Sequence, residues 1–203
     1  MCKEVIVIGG GGHAKVVMDC IQAAGDRIFG ILDDGMTPGA EILGVKVLGG
    51  VDSYRNYPDC WFVIAIGGNA VRKAIAAKLD ARWYTAIHPS AVISKYATVG
   101  EGSMILANAV VNPCATIGRH CILNTACVVE HDNKIADFVH ISPRAALAGN
   151  VTVGELTQVG IGAAVRQGIT ICGGCIVGAN AAVVKDICQE GIYAGVPAKK
   201  LCK

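Results

Sequence analysis

The chain has 203 residues, a formal net charge of +2, 53% hydrophobic residues and only 17% charged ones. A sequence this apolar can bury enough surface to offset its ordering entropy, which excludes disorder, and a charge this small gives no basis for binding nucleic acid or an anionic membrane. No uncharged apolar run of membrane-spanning length is present and the N-terminus lacks an export-signal pattern, so the expectation is a cytoplasmic protein whose ten cysteines are reduced thiols.

In chain order, Glu4–Ile8 reads as a short strand ending in Gly9-Gly10-Gly11-Gly12-His13-Ala14. Val16, Val17, Cys20, Ile21 and Ala24 then share a helical face. Ile28–Leu32 is a second strand, followed by Asp33-Asp34. Trp61–Ile66 is a third, followed by Gly67-Gly68-Asn69, and 69–79 reads as a helix with Asn69 at its N-cap. Residues 1–80 are therefore expected to form a small α/β unit around a parallel sheet of three or four strands. Gly9-x-Gly11-x-x-Ala14 fits the dinucleotide fingerprint, with the acidic pair about twenty residues further on. A unit of this size holds half of such a site, which suits one nucleotide better than NAD. Glycine lets the backbone approach a phosphate, and the helix N-terminus favours its charge. A glycine turn that only packs strand on helix is the plainer alternative.

From Ile87 to Val183, steps of six residues meet Ile, Leu or Val seventeen times without an insertion. Four residues beyond each of these, most positions are small, as at Ala109, Ala115, Cys121, Cys127, Ala145, Ala163, Cys175 and Ala181. Exceptions include Asn133, Val139, Val151, Thr157 and Ile169. A large and a small inward residue in each six describe a triangular β-helix, three short strands to a coil. It is expected over residues 81–187, with 188–203 as a tail. Cys121, Cys127 and Cys175 become packing residues. Cys172-Gly-Gly-Cys175 is at best half a zinc site, so no metal is expected.

The repeat resembles the hexapeptide-repeat acyltransferases. With G-G-H-A and D-D in a small α/β domain ahead of it, the whole chain resembles the sugar acetyltransferases of the sialic-acid O-acetyltransferase type. These include bacterial N-acetyltransferases of UDP-4-amino-4,6-dideoxy sugars. The resemblance implies a Rossmann-like N-terminal domain on a left-handed parallel β-helix, a homotrimer, and acetyl-CoA bound between neighbouring prisms. It also implies a UDP-linked amino sugar held by Gly11, Gly12, His13, Asp33, Asp34 and Gly67. O-acetylation of sialic acid or another sugar hydroxyl, and a non-catalytic nucleotide-binding scaffold, remain alternatives.

Acyl transfer needs a base, an oxyanion donor and alignment of thioester with acceptor. His131, in Glu130-His131-Asp132, has the acidic neighbour that an oriented base requires. The resemblance makes His131 the general base and Asp132 the acid that raises its basicity. It places Asn124, His140, Gly149, Ile161 and Ala179 along the acetyl-CoA groove, Gly149 through its N–H. It also reads Gly195-Val196-Pro197-Ala198-Lys199 as a closing turn near CoA. Cysteine nucleophiles are the competing route, but Cys121 and Cys127 are expected to point inward.

Overall fold

A computed structural model describes residues 2–201. The first unit has five strands: β1 (Glu4–Ile8), β2 (Arg27–Leu32), β3 (Glu41–Ile42), β4 (Val45–Gly49) and β5 (Trp61–Ile64), with α1 (Gly12–Ala23) and α2 (Asn69–Lys78). The sheet order is β3-β4-β2-β1-β5, parallel throughout except for the β3–β4 hairpin. The first strand of that hairpin is only two residues long, so the sequence under-counts the strands.

Two local readings change. The buried stripe of α1 is Ala14, Val17, Met18, Cys20 and Ile21, while Val16 and Ala24 face solvent. Gly68, not Asn69, occupies the cap position of α2, with no side-chain cap. Asn69 instead reaches the second unit, its Nδ2 donating to the Leu156 and Thr157 carbonyls at 2.9 and 3.2 Å.

The second unit is a parallel β-helix of two-residue strands starting every six residues from Ala86 to Val183. Each strand pairs with the one eighteen residues away, as in Ile122↔His140 and Leu123↔Ile141, so three strands make one coil. Its first face carries Ala86, Met104, Ile122 and His140 on the outside, its second Val92, Val110 and Val128, its third Thr98, Thr116 and Lys134. Between strands the chain turns through a left-handed backbone residue every six positions, among them His120, Asp132, Phe138 and Asn150. Non-glycine residues rarely adopt this conformation, so their regular recurrence marks the corners as constrained.

The inward aliphatics form a continuous core from Ile105 to Ile187. The first three of the series are less covered, because no coil lies beneath them: Ile93 and Val99 are half-buried and Ile87 is 40% exposed. Polar residues in the small register are satisfied by neighbouring coils. Ser103 Oγ donates to the Gly118 carbonyl and accepts from Cys121 N–H, both at 2.9 Å. Asn133 bonds the Glu130 carbonyl and Val151 N–H. The expected tail also continues the prism: Ile192–Ala194 pairs in parallel with Ile176–Val177, and Lys199–Lys200 folds back on it.

The first face packs against the α/β unit, where Met104, Ile122 and Leu106 join Val5, Ala14, Val17 and Ile21 in one buried cluster. Ile141 is central to the prism and fully buried. Replacing it with alanine leaves a cavity that stacked coils cannot close, and is expected to cost about 2–5 kcal/mol. Urea unfolding measures this; a loss below about 1 kcal/mol would contradict the close packing described.

Candidate active site

β1 lies between β2 and β5, so the chain reverses its direction of strand addition at the β1–β5 boundary. In open α/β sheets, ligands bind outside the carboxyl ends of strands at such a switch point. Here that crevice is flanked by the loop Gly9–Gly12 and by Ile66-Gly67 beyond β5. Gly9 has φ +102°, and a Cβ on it would meet Ile66 Cγ1 at 2.7 Å, so only glycine lets the two loops touch. Beyond Gly11, Gly12 and Gly67 the space is open. Gly11 caps α1 with no side-chain bond, so the first-turn N–H groups face outward, as an anion site requires.

The aspartates are partly committed to the fold. Asp33 accepts from Gly10 N–H and Gly35 N–H at 2.7 and 2.8 Å, and Asp34 from Val51 N–H at 2.7 Å. Asp33 thus shapes the glycine loop from below, while Asp34 remains exposed.

Behind the crevice lies Arg72, which the sequence did not single out. Its side chain is 0% exposed, and its acceptors are carbonyls and one amide oxygen, with no carboxylate. Burial lowers its pKa to about 10, which leaves it charged at neutral pH. Three histidines surround this region. Burial, reinforced by the Arg72 charge, lowers His13 and His120 to about 4 and His140 to about 3. All three are therefore neutral at pH 7. His13 and His140 have ring centroids 6.3 Å apart, and His140 Nε2 lies 3.1 Å from Asn124 Nδ2. His13 Nε2 and His140 Nδ1 are buried without a partner among the described residues.

His131 stands elsewhere, at the corner between the second and third faces. Its Nδ1 is 2.7 Å from Asp132 Oδ2, which fixes the tautomer with Nε2 free when the ring is neutral. Gly149 lies one coil away in the same column. A Cβ there would meet His131 Cε1 and Nε2, each at 2.6 Å, so the glycine makes room for the imidazole. The N–H of Gly149 bonds no acceptor among the described residues.

Asn124, Ile161 and Ala179 line the other edge of the second face, at its corner with the first, beside His140. The N–H groups of Ile161 and Ala179 likewise bond no acceptor among the described residues. One chain therefore groups Gly149 with His131, and Asn124, His140, Ile161 and Ala179 on a separate corner. Burial raises the Cys121 and Cys127 thiols to about 12, which leaves them inert inside the prism. Cys172 and Cys175 are free thiols with sulfurs 3.5 Å apart. Among the described residues no group of three His, Cys, Asp or Glu could hold a metal ion, and no helix is long and apolar enough to cross a membrane.

Residues 4–79 match the family model described as the PglD N-terminal domain. Over 112 residues the chain is 44% identical to the UDP-N-acetylbacillosamine N-acetyltransferase of Bacillus subtilis (strain 168), a match spanning 52% of each protein, about half that relative's length. The acetyltransferase domain of PglB from Neisseria gonorrhoeae FA1090, solved in complex with acetyl coenzyme A, is 38% identical. That match covers 99% of this chain and 100% of that one, with a TM-score of 0.92. PerB from Caulobacter crescentus, solved in complex with CoA and GDP-perosamine, is 38% identical over 100% of this chain and 99% of that one, with a TM-score of 0.93.

The buried histidines make acid stability a direct test. Their folded pKa values of about 3 to 4 lie below the unfolded 6.5. Between these values the unfolded chain binds more protons, so stability falls as pH drops from about 6.5 towards 4. Urea midpoints are expected to be clearly lower at pH 4.5 than at pH 7. Equal midpoints would show that these histidines are not buried as neutral groups.

Proposed function

This chain belongs to the hexapeptide-repeat sugar acetyltransferases of the bacterial amino-sugar type, and on that premise we propose that it moves the acetyl group of acetyl-CoA to the amine of a nucleotide-linked 4-amino-4,6-dideoxy sugar. The observation that carries the chemistry is the oriented pair His131–Asp132 seated on Gly149. In this reading the amine nitrogen attacks the thioester carbon in a ternary complex. His131 Nε2 takes the proton, and Asp132 holds the resulting imidazolium. The free N–H of Gly149 faces the developing oxyanion. The carbon–sulfur bond then breaks, and CoA leaves as a thiol once protonated by the imidazolium.

The acceptor's diphosphate is assigned to the N–H groups of Gly11, Gly12 and His13 at the start of α1. Asp34, Asp33 and Gly67 lie along the nucleoside side of the crevice. UDP is the proposed carrier, supported by the 44% identical Bacillus subtilis relative. GDP is the second reading, favoured by the likeness to PerB with its GDP-perosamine, which spans the whole chain.

We also assign the enzyme a trimeric working form. The outer column of the second face is Val92, Val110, Val128, Ala146, Ala164 and Ala182, an uncovered strip of small apolar side chains. Its neighbour, the third face, is mostly threonine and behaves as a solvated surface. The second face is flanked by the Asn124–Ile161–Ala179 corner on one side and the His131–Gly149 corner on the other. Packing it cyclically against a neighbour's prism brings one copy's first corner beside the next copy's second, which makes a single groove for acetyl-CoA.

Mass spectrometry of products from acetyl-CoA with UDP- and GDP-linked 4-amino sugars and free sialic acid tests the acceptor. Acetyl on a nucleotide amino sugar supports the reading and fixes the carrier; acetyl on sialic acid alone overturns it. His131→Ala is expected to lower kcat about 10²–10⁴-fold while acetyl-CoA binding by calorimetry is retained. A variant with the wild-type rate would remove His131 from the mechanism. Val128→Asp, placed on the outward second face, is expected to give a folded monomer without turnover in light scattering and activity assays. Full activity from a monomer would sink the trimeric groove.

A further inference from the structure

Arg72 is the largest fully buried side chain and the one buried cation in the described core. On one side its Nη1 donates to the Ile66 and Gly67 carbonyls at 2.9 and 3.3 Å. On the other its Nε donates to the His120 carbonyl at 2.7 Å and its Nη2 to the Phe138 carbonyl at 3.1 Å. Nη2 also bonds Asn69 Oδ1 at 2.9 Å, and Asn69 Nδ2 continues to the Leu156 carbonyl. His120, Phe138 and Leu156 are successive members of one corner column, a coil apart. A ladder of three prism carbonyls is therefore bonded, rung by rung, by the residues that follow the crevice loop.

The loop thus held is not a remote one. Ile66 is in contact range of Gly9, and Gly67 opens onto the switch-point crevice. The same cation lies close enough to His13 and His140 to disfavour their protonation, which places it behind the junction of the glycine loop and prism. A planar fork with five donors matches this set of acceptors; an ammonium on a flexible stem does not. A purely adhesive role would be served as well by apolar packing, since a buried charge without a carboxylate partner is costly to desolvate.

We propose that Arg72 is a positioning residue for the sugar-nucleotide acceptor, clamping the Ile66–Gly67 loop onto the prism so that the acceptor's amine is presented at a fixed height along the acetyl-CoA groove. The inference rests on the acetyltransferase reading above. Arg72 touches neither substrate; it acts through Gly67 and the loop contact with Gly9.

The test compares steady-state kinetics of wild-type protein with Arg72→Lys, Arg72→Met and Asn69→Ala, after circular dichroism has shown which are folded. If wild-type protein acetylates no nucleotide amino sugar, the functional reading fails, and that arm is separate from the variants. Given turnover, Arg72→Lys is expected to raise the acceptor KM roughly ten- to hundredfold. The KM for acetyl-CoA should stay within about twofold, because that groove lies on other corners. Asn69→Ala is expected to shift the acceptor KM in the same direction by less, and Arg72→Met, where folded, by more than Lys. Folded Arg72→Lys and Asn69→Ala proteins with unchanged acceptor KM, or with both KM values raised equally, would overturn the proposal and leave Arg72 a structural rivet.

Discussion

Eighteen residues carry the chain once around the prism, and no insertion breaks that count between Ala86 and Val183. Everything else about the second unit depends on it. A fixed coil length stacks residues eighteen apart into columns, so a side chain's neighbours are set by arithmetic as much as by local sequence. His131 sits over Gly149 because they share a column, and a Cβ at 149 would occupy the space of the imidazole. Asn133 can bridge coils because Val151 N–H is its column partner. A single inserted residue would move every later side chain one position and dissolve both relationships, which is the same register logic that governs any strand with one buried face.

The repeat was legible because period six writes itself into side-chain size. Steps of six found the inward aliphatics, and the structure keeps them inside from Ile105 onward. Ile87 escaped that rule since burial needs a coil on both sides, a property of the stack's end. The crevice strands and the helix after the glycine loop were readable from apolar runs and glycine. The β3–β4 hairpin was not, having only two residues in its first strand. Asn69 looked like a cap because its residue type caps helices; a tertiary partner at Leu156 outbid the local one. Arg72 gave no signal at all, since an arginine inside an amphipathic helix reads as a solvated charge, and its acceptors lie up to 66 residues away. His131–Asp132 was legible because the two partners are adjacent in sequence.

The histidines divide by environment in a way their spacing did not announce. His131 stands exposed with its Nδ1 2.7 Å from the Asp132 carboxylate. His13, His120 and His140 sit in a desolvated region next to a cation, which keeps them neutral at pH 7. One protein thus keeps an exposed, carboxylate-paired imidazole at one corner and buried neutral imidazoles at another. Neutral imidazole offers one donor and one acceptor, which suits recognition of an uncharged thioester or hydroxyl. Had His140 been exposed it would titrate near neutral pH and change the charge of that part of the prism with every small acidification.

The seam between the two units combines an apolar cluster with a polar ladder, and the two do different work. Met104, Ile122 and the core of α1 supply non-directional attraction, and they choose the coil, because the same outward column continues as His140 and Gln158. Carbonyls are directional, and three of them at one corner, spaced by the pairing distance of strands, fix the orientation and closeness of the Arg72–Asn69 pair. Drawing the α/β unit away from that corner would leave a buried cation short of acceptors, at a cost of several kcal/mol. The apolar column therefore sets the height of docking along the prism, and the buried charge sets its fit. In the proposed reaction, with the acceptor loops on one unit and the base on a prism corner, that docking height determines whether the amine and the thioester meet.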